Sequence, residues 1–339
     1  MIKKTLLLSV LISTTFFVSC NDDDDNSSST VNSEYFLVAN RGSGTVTVFD
    51  AKTQIVSKEI TLPGSSAQPT YLAYSDEQDR FYVGDFINQQ IVIYDDESFA
   101  QVGTVAIQEG AFHMMSSDIA DQLWVNNIVS KTTSVVDLNT NKVLETISLP
   151  TNIGLTENAV QHDVTISSDG MYAYVTILDG SDTSYVVQYK TSDYSYVRHA
   201  TVGGDAHLQI VGSDLYVPSQ EDGIITIFSQ SDLTQKTTLT FEGTHGVAAV
   251  GDYFFTAGLP AQTLGVFNTT NNQLISSIDA AYATPHNLAV SADGNYVFLS
   301  HSGGSATKVV FYQNNNGTLT RISDYDSGTN PFGVLYFNN

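Results

Sequence analysis

The chain has 339 residues, of which 42% are hydrophobic and only 14% are charged, and it is rich in Gly, Tyr and Phe. This composition is typical of many short strands joined by turns, and it argues against coiled coils and long surface helices. Because 36 acidic residues stand against 13 basic ones, the formal net charge is −23, which excludes a surface that binds the phosphate backbone of a nucleic acid.

The pattern of residues 1–19 predicts an export signal. Two lysines precede an apolar run from Thr5 to Val18, which is too short to span a bilayer comfortably. Cys20 follows almost at once and is the only cysteine, so a disulfide framework within the chain is excluded. This ending resembles a bacterial lipoprotein signal, which implies cleavage before Cys20 and attachment to outer-membrane lipid through that residue. An ordinary signal peptide is the alternative.

Residues 20–34 form a polar segment that begins with the acidic run Asp22–Asp25. Such a segment repels itself and cannot bury a core, so it predicts a flexible tether. A cysteine followed closely by acidic residues is also similar to the surface-export signal of Bacteroidota lipoproteins. That resemblance implies an outer-membrane location with exposure at the cell surface, and a spacer facing the periplasm is the alternative.

From residue 35 onward the chain repeats one pattern, in which an aromatic and β-branched strand, a turn and a second apolar strand follow one another. The spacing of about 40–45 residues is typical of β-propeller blades. Seven copies are present, and they begin at Tyr35, Arg80, Gln122, Tyr172, Asp214, Asp252 and Asn295.

A further strand precedes most copies, and an Asp-Gly pair such as Asp169-Gly170 often joins the two strands, which favours a hairpin. The first copy lacks this strand, whereas the chain ends with an unassigned one at 331–337. The sequence therefore predicts an all-β protein in which residues 35–339 form a seven-bladed propeller with four-stranded blades. The C-terminal strand is expected to complete the N-terminal blade and close the ring.

Two segments, residues 285–298 and residues 38–50, resemble the YVTN-type β-propeller repeat. The resemblance extends over essentially all of 35–339 and implies the fold, and we expect a monomer. It says little about function, because propellers include enzymes, electron-transfer proteins and binding platforms.

Five of the seven histidines immediately precede the innermost strand of consecutive blades. By the family fold, this position lies at one mouth of the central channel, so their imidazoles should converge there in an arc. Thr70 and Phe332 occupy the equivalent position in the two remaining blades, and His301 is expected on the same face. The five predicted members of the arc are His113, His162, His207, His245 and His286.

Clustered imidazoles repel one another when protonated and gain from a shared ligand, and imidazole is a favoured ligand for Zn, Cu and Fe. The pattern therefore predicts a transition-metal site, with a non-metal ligand or a purely structural ring as alternatives. Phe112, beside His113, and Phe332 are candidates for stacking on a planar ligand. Because metal binding requires neutral imidazoles, affinity is expected to fall below about pH 6.5.

The arrangement is similar in outline to nitrous oxide reductase, a propeller with a multi-histidine copper cluster. This chain has no Cys- and His-rich electron-entry segment, so we do not expect reductase activity. The leading hypothesis is a non-catalytic protein that captures a metal ion or metal-containing cofactor and delivers it to a TonB-dependent transporter, as cobalamin-capturing propeller lipoproteins do. A copper or iron oxidoreductase and a glycan- or protein-binding adhesion propeller are the alternatives.

Overall fold

The computed structural model describes residues 33–339, and these form twenty-eight β-strands in seven antiparallel four-stranded sheets. The sheets are the blades of a β-propeller, so the predicted all-β, seven-bladed fold is confirmed. Within the described range no helix has the length and apolar character needed to cross a bilayer. The predicted signal peptide, the lipidation site Cys20 and nearly all of the predicted tether lie outside the described residues.

The innermost strand of each blade lines the channel and packs beside the innermost strands of the two neighbouring blades. Numbered in chain order, the innermost strands are β4 (Pro69–Ser75), β8 (Ala111–Ser117), β12 (Val160–Ile166), β16 (Gln209–Val211), β20 (Thr244–Val250), β24 (Pro285–Val290) and β28 (Pro331–Asn338).

Outside them lie two layers of strands that are buried almost throughout. The second strands are β1 (Glu34–Asn40), β5 (Arg80–Asp85), β9 (Gln122–Asn127), β13 (Tyr172–Leu178), β17 (Asp214–Ser219), β21 (Tyr253–Gly258) and β25 (Tyr296–His301). The third strands are β2 (Thr45–Asp50), β6 (Gln90–Asp95), β10 (Thr132–Asp137), β14 (Ser184–Lys190), β18 (Ile224–Ser229), β22 (Thr263–Asn268) and β26 (Lys308–Asn315).

The outermost strand of each blade faces solvent along much of its length. These strands are β3 (Val56–Thr61), β7 (Gln101–Ala106), β11 (Lys142–Ser148), β15 (Tyr196–Val202), β19 (Gln235–Thr240), β23 (Gln273–Asp279) and β27 (Thr318–Asp326).

The ring closes by pairing of the last strand with the first. Strand β28 runs antiparallel to β1, with Phe337 opposite Tyr35 and Leu335 opposite Leu37. The backbone of Ser33 also exchanges two hydrogen bonds with that of Asn339, of 3.0 and 3.1 Å. The predicted closure is therefore confirmed, and it leaves no open seam between the first and last blades.

The core lies between neighbouring blades. Between the last and first blades, for example, Phe36 packs against Phe298 and Phe311 with ring centroids 5.4 and 5.5 Å apart. Aromatic and β-branched residues suit this position because they cover a pleated sheet with little loss of rotamer freedom. Because the apolar residues are used between the blades, the channel-facing ends of the innermost strands are free to carry polar side chains.

The Asp-Gly hairpins predicted from the sequence are present. Gly170 has a φ of +70°, which a residue without a Cβ adopts readily. The turn is held by Ser167, whose hydroxyl donates to Asp169 over 2.6 Å and accepts from the Tyr172 backbone N–H over 2.9 Å. Residues 291–296 repeat the same arrangement in the last blade.

Candidate metal centre at the channel mouth

A β-bulge interrupts the innermost strand of six blades near the end of the channel that we call the mouth. The bulge leaves two successive residues without partners in the ladder, and bulges are a common way to redirect side chains. The first bulge position is occupied by Thr70, Phe112, His162, His245, His286 and Phe332. The second is occupied by Tyr71, His113, Asp163, Gly246, Asn287 and Gly333.

His113 therefore differs from the position that the sequence alignment suggested. It lies at the second bulge position, one residue beyond the site shared by His162, His245 and His286, and Phe112 takes the first. His207 precedes the short strand β16, and its backbone N–H donates to the Pro218 carbonyl over 2.9 Å.

The structure brings all five predicted imidazoles together, and we call them the histidine arc. The rings of His113 and His162 are 4.8 Å apart, and His207 lies 5.2 Å from the first and 4.8 Å from the second. The arc continues from His207 to His245 over 4.1 Å and on to His286 over 4.8 Å. All five side chains are buried.

Aromatic rings fill the gap between the two ends of the arc. Phe332 lies 4.4 Å from His286, and Tyr71 stacks on His113 with centroids 3.7 Å apart and planes inclined by 28°. Phe112 touches Tyr71, Phe332 and His162. Sequence reasoning missed Tyr71, although its place directly after Thr70 was a usable signal.

Asp163 supports two members of the arc from behind. One carboxylate oxygen lies 3.0 Å from Nδ1 of His113, and the other lies 3.4 Å from Nδ1 of His207. The same carboxylate accepts from the backbone N–H of Val164 and Leu208 over 2.7 and 2.9 Å. Burial favours the neutral acid, but the attraction of His113 and the hydrogen bonds from both imidazoles hold the pKa of Asp163 well below its usual range.

Asp205 faces a different part of the arc. Its carboxylate oxygens lie 3.6 Å from Nδ1 of His245, 3.7 Å from Nε2 of His207 and 3.8 Å from Nε2 of His162. Burial again opposes ionisation, yet the nearby imidazoles of His245, His207 and His162 lower the pKa of Asp205. Neither aspartate was a candidate from sequence, although Asp163 adjoins His162 directly.

Three imidazoles of the arc are kept neutral by their surroundings. Burial, reinforced by His207 and His113, holds the pKa of His162 well below its usual range. Burial and the neighbouring His207 likewise lower the pKa of His245 to about 4, and burial with the neighbouring His245 holds the pKa of His286 well below its usual range. Protons therefore compete for these three rings less than for free imidazole, and the fall in metal affinity below about pH 6.5 stays a prediction.

Several buried nitrogens of the arc have no hydrogen-bond partner among residues 33–339. They include Nε2 of His113, Nδ1 of His162 and Nε2 of His207. A buried polar atom without a partner is costly in free energy. Because Nδ1 of His113 and of His207 faces Asp163, Nε2 of each ring is left to accept a hydrogen bond or to coordinate a metal ion.

These three histidines fit a transition-metal ion. Their ligand atoms lie within 4.8 Å of one another, and so do those of a second group formed by Asp205, His207 and His245. A tetrahedral ion with bonds of about 2.1 Å to nitrogen holds its ligands about 3.4 Å apart. The ligand nitrogens of the first group would therefore have to move about 1 Å closer together to bind one ion. Three imidazoles would leave a fourth position for water or a ligand.

Other predicted site residues lie apart from the arc or have structural partners. The ring of His301 makes an edge-to-face contact with Tyr282, and its Nδ1 is 3.0 Å from the Ala283 carbonyl. It makes no ring contact with the five histidines of the arc. The Thr70 hydroxyl is fully buried and donates to the Ala111 carbonyl over 2.9 Å. Hydrogen bonding within the fold accounts for the Thr70 hydroxyl and for Nδ1 of His301, whereas the buried Nε2 of His301 has no hydrogen-bond partner among residues 33–339.

The channel contains a cavity of about 370 Å³ that reaches the arc at His113, His207 and His245. This is within the size range of sites for small ligands. Below the arc the lining includes Tyr74 and Tyr336, so the cavity follows the innermost strands away from the mouth.

The fold is shared with solved structures of low sequence identity. A periplasmic gluconolactonase of Pseudomonas aeruginosa superposes with a TM-score of 0.73 at 16% identity, covering 90% of this chain and 99% of that one. A candidate 6-phosphogluconolactonase of Bacteroides fragilis gives a TM-score of 0.71 at 16% identity, with coverages of 92% and 100%. Hydrazine synthase of Kuenenia stuttgartiensis gives 0.65 at 15% identity, with coverages of 78% and 88%.

These likenesses establish the β-propeller fold, which proteins of different activity share. No family model and no curated protein sequence matches the chain. The YVTN-type relationship therefore stays a prediction drawn from the repeats at residues 38–50 and 285–298.

Proposed function

We propose that the chain is a metal-binding propeller that captures a transition-metal ion or a metal-containing cofactor at the histidine arc. His113, His162 and His207 are the proposed ligands, and Asp163 is the carboxylate that orients two of them. The observation that carries the proposal is the buried trio of imidazoles, each with a nitrogen that has no hydrogen-bond partner among residues 33–339, and one carboxylate behind two of the rings.

The chemistry of this donor set favours Zn, Cu or Fe. Imidazole nitrogen suits these ions, whereas Mg and Ca prefer oxygen ligands. A carboxylate on the far nitrogen of a ligating histidine raises the basicity of the ligand and fixes the orientation of the ring. Asp163 performs this role for both His113 and His207 in the proposed site.

The cellular role follows from the N-terminal pattern and is part of the same proposal. A lipid on Cys20 would hold a monomeric propeller at the outer membrane through the tether of residues 20–34. Exposure at the cell surface would place the arc where it can collect the metal and pass it to a TonB-dependent transporter.

Hydrolysis of a lactone at the same mouth is a second candidate. It is favoured by the fold likeness to a gluconolactonase and to a candidate 6-phosphogluconolactonase. A buried imidazole that is neutral and unpartnered, such as His162, is also suited to act as a general base.

Metal titration of chelator-treated, tag-free protein tests the capture proposal. Zn²⁺, Cu²⁺ and Fe²⁺ are added separately, binding is followed by calorimetry, and the retained metal is measured by elemental analysis after gel filtration. We expect stoichiometric uptake of at least one ion. The variant His207→Asn should weaken binding about 100-fold or more, because a ligand common to both candidate groups is lost.

His199→Asn is the matched control, because His199 is exposed on the outermost strand β15, where its ring contacts Tyr185 and Tyr196 and none of the histidines of the arc. Equal binding by His207→Asn and His199→Asn, or no uptake of any ion, would overturn the proposal. Turnover of gluconolactone or of a redox dye by the loaded protein would assign an enzyme instead of a capture protein.

A further inference from the structure

Arg41 lies at the mouth, in the turn that joins β1 to β2. Its guanidinium carbon is 4.6 Å from the ring centroid of Phe86 and 5.3 Å from that of Phe332. The backbone N–H of Arg41 donates to the Asn330 carbonyl over 3.0 Å, which fixes the turn beside the closing strand β28. The side chain is thus held over aromatic rings at a defined place.

The charge of this guanidinium is not balanced by a neighbour. Among residues 33–339, no carboxylate oxygen lies within 4.0 Å of it, whereas Arg321 pairs with Asp324 and Lys308 pairs with Asp326. Arg41 is half-buried, and this burial lowers the pKa of its guanidinium. A half-buried cation without a counter-ion gains from an anionic ligand.

Two aromatic rings connect Arg41 to the two ends of the histidine arc. Phe332, beneath the guanidinium, lies 4.4 Å from His286. Tyr71, whose ring centroid is 5.4 Å from that of Phe332, stacks on His113 at 3.7 Å. The cation therefore stands at the gap in the arc, which is the part of the mouth without a histidine.

The local charges beside the arc also favour an anion at Arg41. Asp163 and Asp205 are the carboxylates that face the imidazoles, and neither pairs with the guanidinium. A dipositive ion bound at the arc would offset these two carboxylates, so Arg41 would remain as a positive group that can attract an anion.

We infer that the guanidinium of Arg41, which lies over the Phe332 ring at the end of the arc beside His286, forms an anion subsite that binds a carboxylate group of a ligand that also coordinates the metal ion. The class of ligand is a small di- or tricarboxylate chelate of the metal, since a planar guanidinium matches a carboxylate through two parallel hydrogen bonds. This inference rests on the proposed function, and it specifies the form in which the metal is captured.

Oxalate binding to the metal-loaded protein tests the subsite. The protein is loaded with the ion selected by the titration described above, oxalate binding is measured by calorimetry, and elemental analysis checks that the metal stays bound. We expect Arg41→Gln to weaken oxalate binding about tenfold or more while leaving uptake of the metal alone unchanged. Arg41→Lys should restore only part of the affinity, because a point charge replaces the planar fork.

Arg198→Gln is the matched control, since Arg198 is exposed on β15 and its replacement by Gln removes the same charge. Normal metal uptake with equal oxalate affinity in Arg41→Gln and Arg198→Gln would overturn the anion subsite alone. Oxalate binding of equal strength without metal, or replacement of oxalate by inorganic phosphate at equal affinity, would also overturn it. Absence of metal uptake would overturn the proposed function as well.

Discussion

At the scale of single residues, Asp163 determines how the arc presents its nitrogens. Its two oxygens face Nδ1 of His113 and of His207, and backbone N–H groups hold the carboxylate in place. A histidine that donates from one nitrogen can offer only the other to a ligand. The tautomers of both rings thus follow from one side chain, which is not itself among the proposed ligands.

Asp163→Asn is expected to reduce metal affinity about 10- to 100-fold, because the amide can turn its N–H groups toward the imidazoles and disturb both tautomers. Competition with a chelator of known affinity measures the change, and circular dichroism checks the fold. Asp193→Asn, on an exposed turn, serves as the control. Unchanged affinity in Asp163→Asn would show that this carboxylate does not orient the ligands.

His301 carries a prediction about stability and pH. Burial lowers the pKa of His301 to about 4, against about 6.5 in an unfolded chain. The unfolded state therefore binds more protons between these values, and the stability that His301 contributes is complete above pH 6.5 and is lost as the pH falls toward 4. The loss should reach about 3 kcal/mol.

Urea unfolding of metal-free protein between pH 7 and pH 4 measures this dependence. In His301→Asn the amide can still donate to the Ala283 carbonyl but does not titrate, so its free energy of unfolding should fall less over the same range. His199→Asn should behave like the parent protein because His199 is exposed. Parallel curves for the parent and His301→Asn would contradict the prediction.

At the scale of elements, the bulge in six of the seven innermost strands brings most of the side chains of the site to the mouth. A regular strand would turn successive side chains to opposite faces, whereas two unpaired residues side by side can both approach the channel. In the fourth blade the pair is His162 and Asp163, and in the third it is Phe112 and His113. The repeated bulge therefore supplies ligands, a supporting carboxylate and aromatic rings from one backbone feature.

Gly246, at the second bulge position of β20, is where two of these strands approach most closely. A Cβ at this residue would lie 1.8 Å from the carbonyl oxygen of His286, which is backbone and cannot move aside freely. We expect Gly246→Ala to lower the free energy of unfolding by about 1–3 kcal/mol. Gly304→Ala is the control, because nothing lies within 4 Å of its added Cβ. Equal thermal stability of the two variants would refute the close approach.

At the scale of the whole molecule, closure of the ring makes the arc possible. The arc gathers side chains from residue 113 to residue 286, and the strands that carry them meet only when seven blades surround one axis. Phe337 on β28 contributes to that closure, since it stacks on Tyr74 of the next blade with centroids 4.5 Å apart. Loss of this contact should therefore affect the whole ring.

Phe337→Ala is expected to destabilise the protein by about 3–5 kcal/mol, because a fully buried aromatic side chain is removed at the closing strand. Chemical denaturation followed by tyrosine and tryptophan fluorescence measures the change. Ile322→Ala, on the exposed outer strand β27, should cost less than about 1 kcal/mol. A small effect of Phe337→Ala would mean that closure depends little on β28.

The fold could be predicted from the sequence because propeller blades are local. Six of the seven blades are each one stretch of chain whose strands are joined by short turns, so the copies beginning at Tyr35 and the Asp-Gly turns are visible as a pattern. The unpaired strand at 331–337 then had one available partner. The approach of five histidines to one mouth also followed, since equivalent positions in a ring face the same axis.

The details of the site depended on contacts between blades, which no local pattern records. A one-residue bulge offset brought His113 against Asp163, and Asp205 came to face three imidazoles although it lies at a loop position. Arg41 became a neighbour of the arc only through ring closure, and Tyr71 through the packing of β4 beside β8. The sequence by itself determined the blades and the residues available at the mouth. Only the tertiary structure decided their partners, because distances across the channel depend on how seven sheets pack around it.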